Sequence, residues 1–129
     1  MQSIILICSN EEFLKDIFEQ YNDTDVYKLY ENNRFNIESD EGRIYITLDN
    51  SIINDYADGE VELIKNIFDS EMFFYLINYS DNQALFTMIM KTQLESLKYI
   101  DDDKGSIVPF FEYKMMLVEE RENSRFSSF

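Results

Sequence analysis

Between residues 34 and 48 polar and apolar side chains alternate with a period of two, and no other feature constrains the fold as tightly. Phe35 and Ile37 fall on one side, with Arg34, Asn36 and Glu38 on the other. After the turn-forming Ser39-Asp40-Glu41-Gly42, Ile44, Ile46 and Leu48 oppose Arg43, Tyr45 and Thr47. Alternation this regular is what an antiparallel sheet with one solvated face requires. Val26 to Tyr30 is also strand-like, and Glu31-Asn32-Asn33 supplies a turn before Arg34. The pattern predicts a three-stranded meander over residues 26–49.

The flanking segments follow other periods. Residues 3–8 form a short apolar run, which predicts a buried strand. Ser9 and Glu12 have the spacing of a capping box. Phe13, Leu14, Ile17, Phe18 and Tyr21 then recur at helical spacing, predicting a helix over 10–21. Residues 49–59 read as an irregular polar connection. Val61, Ile64, Ile67 and Phe68 predict a second helix, with Asp58, Glu60 and Glu62 at the end where the helix dipole favours negative charge. Residues 72–79 and 84–90 are apolar runs separated by Ser80-Asp81-Asn82-Gln83. They predict two central strands joined as a hairpin, with a helix as the alternative for 72–90. Leu94, Leu97 and Ile100 predict a helix over 92–100. Pro109, the one proline, suits an edge or the start of a strand within 107–118. The polar tail 119–129 is expected to fray. The length of 129 residues suits one domain spanning 1–129. The fold class that follows is α+β: a mostly antiparallel sheet packed against two or three helices.

Histidine is absent, which excludes Ser-His-Asp and Cys-His nucleophile pairs, histidine metal sites and an imidazole base. Gly42, Gly59 and Gly105 are too far apart to build a phosphate-binding loop. Asp101, Asp103 and Glu112 stand at positions 1, 3 and 12 of an EF-hand loop. Gly105 then takes the place of a ligand, and Ser106 that of the required glycine. No catalytic residue, cofactor or metal is therefore expected. Cys8, the only cysteine, ends an apolar run and reads as a buried, inert thiol, with no basic residue near it in sequence. No secretory signal and no apolar run of ~18 residues is present, so a cytoplasmic protein is expected, without membrane contact.

What the chain has in surplus is charge. Against 26 Asp and Glu stand 11 Lys and Arg, a net −15, in a sequence with 16 % aromatic residues. That aromatic content marks an ordered domain, not a disordered acidic tail. Solubility alone calls for a charge of magnitude about 2–8 in a small domain, and like charge excludes nucleic acid as a partner. The surplus points to a cationic protein. The acids concentrate in residues 9–41, 49–71 and 101–103, while 72–94 is neutral. The candidate contacts are acids in turns and helix ends: Asp23, Asp25, Asp40, Glu41, Asp55, Asp58, Glu60, Asp101, Asp102 and Asp103. Tyr45 and Tyr56 are the aromatic anchors among them.

In size, charge and residue usage the chain is similar to small cytoplasmic immunity proteins that neutralise bacterial toxins, among them the nuclease toxins of contact-dependent inhibition systems. That resemblance implies a one-to-one complex with a basic toxin domain, whose active site or substrate groove the acidic surface blocks. A phage-type nucleic-acid mimic directed at a restriction or CRISPR nuclease has the same electrostatics and is the first alternative. A small cation-binding protein or enzyme is the second.

Overall fold

The computed structural model describes residues 1–22, 26–69, 71–102 and 105–127, the last four as backbone only. The strands are β1 (Gln2–Cys8), β2 (Tyr27–Glu31), β3 (Arg34–Ser39), β4 (Gly42–Leu48), β5 (Phe73–Tyr79), β6 (Lys98–Asp101) and β7 (Ile107–Pro109). The helices are α1 (Phe13–Gln20), α2 (Asp58–Ile67), α3 (Asn82–Lys91) and α4 (Phe110–Ser127), with a 3-10 segment at Asn50–Asp55. The strands form one sheet in the order β2-β3-β4-β5-β1-β6-β7, and every neighbouring pair is antiparallel.

The two faces of the sheet are covered unequally, and this explains the sequence patterns. On one face α1, α3 and α4 pack through Phe13, Leu14, Ile17, Leu85, Met88, Ile89, Phe110 and Tyr113 onto Ile4, Leu6, Phe35, Ile37, Ile44, Ile46, Tyr75 and Ile77. The other face carries a smaller core of Ile7, Ile52, Ile64, Phe68 and Phe74, in which α2 and the 3-10 segment cover the middle strands. β1 and β5 are thus buried on both sides, which is why their sequences are continuously apolar. β3 and β4 are covered on one side only, which is why theirs alternate. Their uncovered face shows Arg34, Asn36, Glu38, Arg43, Tyr45 and Thr47.

The predicted meander is present as β2, β3 and β4, and the expected strand at 3–8 and helices at 10–21 and 61–68 fall on β1, α1 and α2. Two expectations are corrected. Residues 84–90 are a helix, not the second strand of a hairpin: β5 already has β1 and β4 at its two edges, so no position beside it is free. Ala84, Leu85, Met88 and Ile89 bury one helical face instead. Residues 92–100 are not helical. Leu94 and Leu97 are exposed in the connection, and Lys98, Tyr99 and Ile100 pair with Cys8, Ile7 and Leu6, filling the open edge of β1.

Smaller departures have local causes. The N-cap of α1 is Glu12, without a side-chain cap bond; Asn10 Oδ1 accepts from the Glu12 N–H at 2.9 Å in the turn before it, while Ser9 N–H donates to Leu97 O at 3.1 Å. The Ser9/Glu12 capping box does not form. Pro109 ends an edge strand, and α4 starts at the next residue, burying Phe110 and Tyr113. Its backbone continues to Ser127 through the polar stretch that composition reads as a fraying tail.

Gly42 closes the β3–β4 turn with φ +130°, and a Cβ placed there would lie 2.5 Å from Asp81 Oδ2 and 2.8 Å from Ser80 Oγ. Gly42→Ala is expected to destabilise the fold by about 1–3 kcal/mol. Gly59→Ala, in α2 with open space around it, is expected to stabilise it by about 0.5–1 kcal/mol. Urea denaturation of the two variants distinguishes them by sign.

Candidate interaction surface

The register brings some of the nominated acids to one end of the sheet. Ser39 pairs with Gly42, Ile44 and Gln2 both pair with Tyr79, and Ile5 pairs with Asp101. The β3–β4 turn, the end of β5 and the start of β1 therefore lie side by side, and Asp102, just past β6, lines the same groove as Gln2 and Tyr79. This end carries Asp40, Glu41, Asp81 and Asp102, while Asp101, opposite Ile5, is set back from it. The Tyr56 hydroxyl donates to Asp101 Oδ2 at 2.7 Å, fastening the end of the 3-10 segment to β6 beside the smaller core. That segment starts at the other end of β5, where the Asp49 N–H donates to Phe74 O, so Asp55, Asp58 and Glu60 form a separate acidic group around the start of α2.

The individual side chains differ in what they offer. Asp40, Asp55 and Asp58 are exposed. Glu41 instead accepts from Gln83 Nε2 at 2.9 Å and Thr87 Oγ1 at 3.0 Å, fastening the β3–β4 turn to α3. Glu60 Oε1 accepts from the Ala57 N–H at 3.2 Å and caps α2. Tyr56 and Asp101 are half-buried against each other. Tyr45 lies on the uncovered face, one residue from the Ile44–Tyr79 pair, donating to Glu38 Oε1 at 3.2 Å. Asp23, Asp25 and Asp103 lie outside the described residues. Sequence reasoning missed Asp81, exposed beside Gly42. It stands in the neutral stretch 72–94, where only the Ser80-Asp81 break between two apolar runs marks it.

The acidic end borders an open groove of about 1600 Å³ between α3, α4 and the start of β1. Tyr79, Tyr113 and Asp102 are among its lining residues, and Arg121 lies over the Phe86 ring at 4.2 Å. Burial raises both tyrosine phenols above their ordinary range, and the Asp102 carboxylate adds to this. The surface thus offers neutral hydroxyls and carboxylates, which are hydrogen-bonding groups. Among the described residues no three His, Cys, Asp or Glu side chains are grouped to hold a metal ion.

These phenols, with the equally buried Tyr75, set the behaviour at high pH. Each is raised in the fold, so its stabilisation is complete below the unfolded value of 10 and is lost as pH rises above it. Stability is expected to fall by about 1.4 kcal/mol per pH unit for each phenol that the unfolded chain ionises first. Urea midpoints between pH 9 and 12 check this, and Tyr113→Phe should flatten the fall.

A second polar cluster lies at the opposite end of the sheet. Lys98 Nζ donates to Ser96 Oγ at 2.6 Å, Cys8 Sγ is 3.6 Å from that oxygen, and the Asn10 N–H donates to Cys8 Sγ at 3.3 Å. Strand pairing thus gives the buried thiol a basic neighbour that its sequence surroundings lack. Burial lowers the Lys98 amine below the usual lysine range, while Cys8, Asp16 and Glu95 pull it back. The cavity beside Lys98 holds about 10 Å³, room for one water at most, and the cluster is a satisfied part of the interior.

Fold and surface together define an α+β domain, with a seven-stranded antiparallel sheet and acidic groups gathered at one end of it. No helix among the described residues is long and apolar enough to cross a membrane. No protein-family model, no curated protein and no solved structure matches the chain.

Proposed function

We propose that this chain is a cytoplasmic inhibitor of a cationic protein, a bacterial immunity protein that binds a basic toxin domain one-to-one and obstructs its active site or substrate groove. Binding, not catalysis, is its role in this reading. The observation that carries it is the meeting of Asp40, Asp81 and Asp102, from sequence-remote segments, at one end of the sheet. Sequence-remote acids on fixed backbone present a negative surface of defined shape, which suits a groove built for phosphates. A net charge of −15 adds long-range attraction, worth about 10- to 1000-fold in association rate at low salt.

The test is capture by the immobilised chain from the native strain at low and high salt, together with direct binding of the proteins encoded beside its gene. The expected partner is basic, associates more slowly as salt rises, and loses its toxic activity when bound. Capture of nothing basic, or binding indifferent to salt, would overturn the reading. A partner encoded in a host defence operon, with the inhibitor's gene carried by phage, would replace it with the nucleic-acid mimic.

A further inference from the structure

We infer that the outer edge of β2 receives an extended strand from the cationic partner, so that the partner becomes the eighth strand of the sheet. The inference rests on the proposed function for the partner's charge, and on strand geometry for everything else.

The Leu48 N–H donates to Asn33 O at 2.9 Å, which fixes the side to which each residue of β3 turns its backbone groups. Residues 35, 37 and 39 face β4, so Arg34, Asn36 and Glu38 face β2. Their partners Glu31, Leu29 and Tyr27 therefore face inward, and the N–H and C=O of Lys28 and Tyr30 face out from the sheet. Among the described residues no backbone or side-chain bond reaches these four groups. At the other edge β7 is three residues long and ends in proline, which protects it. β2 has neither defence. Lysine side chains often shield such an edge, but Lys28 turns its ammonium beneath the strand to Phe18 O and Tyr21 O, at 3.2 and 2.8 Å. Tyr27 and Tyr30 flank the edge, 60 % and 40 % exposed.

Charge selects the occupant. Each acid at this edge has an arginine opposite it, Arg34 across from Glu31 and Arg43 across from Glu38, so it is the net −15 of the whole chain that favours a cationic strand. Two copies of the chain would bring −15 against −15. The fitting strand alternates: basic residues on the face of Tyr27, Leu29 and Glu31, aliphatic ones on the face of Tyr30. Main-chain bonds supply the affinity and this alternation the selectivity.

The probe is an end-blocked peptide of four Lys-Val repeats, with four Ser-Val repeats as the neutral comparison. The Lys-Val peptide is expected to bind saturably and to slow amide exchange at Lys28 and Tyr30 at least tenfold. Tyr30→Pro removes the outward N–H and leaves the β2–β3 ladder intact, so it should weaken binding tenfold or more, while Tyr30→Ala, which removes only the ring, should weaken it less. Three results overturn the inference: binding without protection of the two amides, equal binding by Tyr30→Pro and Tyr30→Ala, or a dimer in sedimentation that protects the same amides. If the peptide binds without protecting β2, and lysine substitutions at Asp40, Asp55 and Asp58 abolish that binding, those acids stand as the contact and the edge does not. Should Tyr30→Pro fail to fold, amide protection in the unaltered chain decides. Absence of any salt-sensitive binding counts against both readings.

Discussion

Phe74→Ala is expected to destabilise the fold by about 3–5 kcal/mol, the cost of emptying a phenylalanine site in a packed core. Phe74 is 2 % exposed at the centre of the smaller core, among Ile7, Ile52, Ile64 and Phe68. Its ring also lies 6.2 Å from that of Tyr56. Around it the backbone is anchored twice, with the Phe74 N–H donating to Asn50 Oδ1 at 3.1 Å and Phe74 O accepting from the Asp49 N–H at 2.8 Å. These bonds hold the 3-10 segment in place and limit how far the site can collapse when the ring is gone. The loss should therefore lie towards the upper end of the range. It should also be uneven: amide protection of α2 should fall before that of β1 and β5, which keep the larger core. Urea denaturation with residue-resolved hydrogen exchange measures both. A loss below about 1.5 kcal/mol would mean that the second core contributes little.

Replacing Asp40, Asp55 and Asp58 together by lysine is expected to slow association with the cationic partner by about 10- to 100-fold at low salt. All three are exposed, so the effect should lie in the association rate, with dissociation nearly unchanged. Raising salt shortens the reach of these charges to about 3 Å at 1 M, and the variant and the original should converge there. Stability should change little, because relief of like-charge repulsion opposes the loss of Asp58 at the α2 N-terminus, worth about 0.3–1 kcal/mol. Stopped-flow association across a salt series separates the two effects. An unchanged association rate would remove these three acids from the interface.

Legibility from sequence followed solvent exposure. The meander could be read because β3 and β4 are wet on one face, and water imposes the period of two. β1 and β5 could be read as buried strands because both faces are covered, but the same apolar density concealed α3. A buried run such as Ala84 to Met90 has no polar face to show its period, and only its helix formers Ala84, Leu85 and Met88 favoured the helix. The error at 92–100 has another cause. Leu94 and Leu97 mimic a helical stripe yet point to solvent, and the pairing of Lys98, Tyr99 and Ile100 with β1 is a tertiary choice that no local pattern records. In the candidate surface the acids were visible as residue types in turns. Their convergence was not, because it depends on strand register. Nor could sequence separate the exposed Asp40 from its neighbour Glu41, which holds α3.

The place of β1 has a consequence for how the chain acquires its shape. Its two neighbours lie about 65 residues later at the closest, in β5, and about 90 residues later, in β6. The meander β2–β4, by contrast, joins residues a few positions apart. Bringing distant segments together is slow because chain entropy is lost before any contact rewards it. Local hairpins should therefore form first. β1 enters late, beside β5 once the meander has given that strand its place, so a nascent chain holds β1 unpaired until β5 has been made.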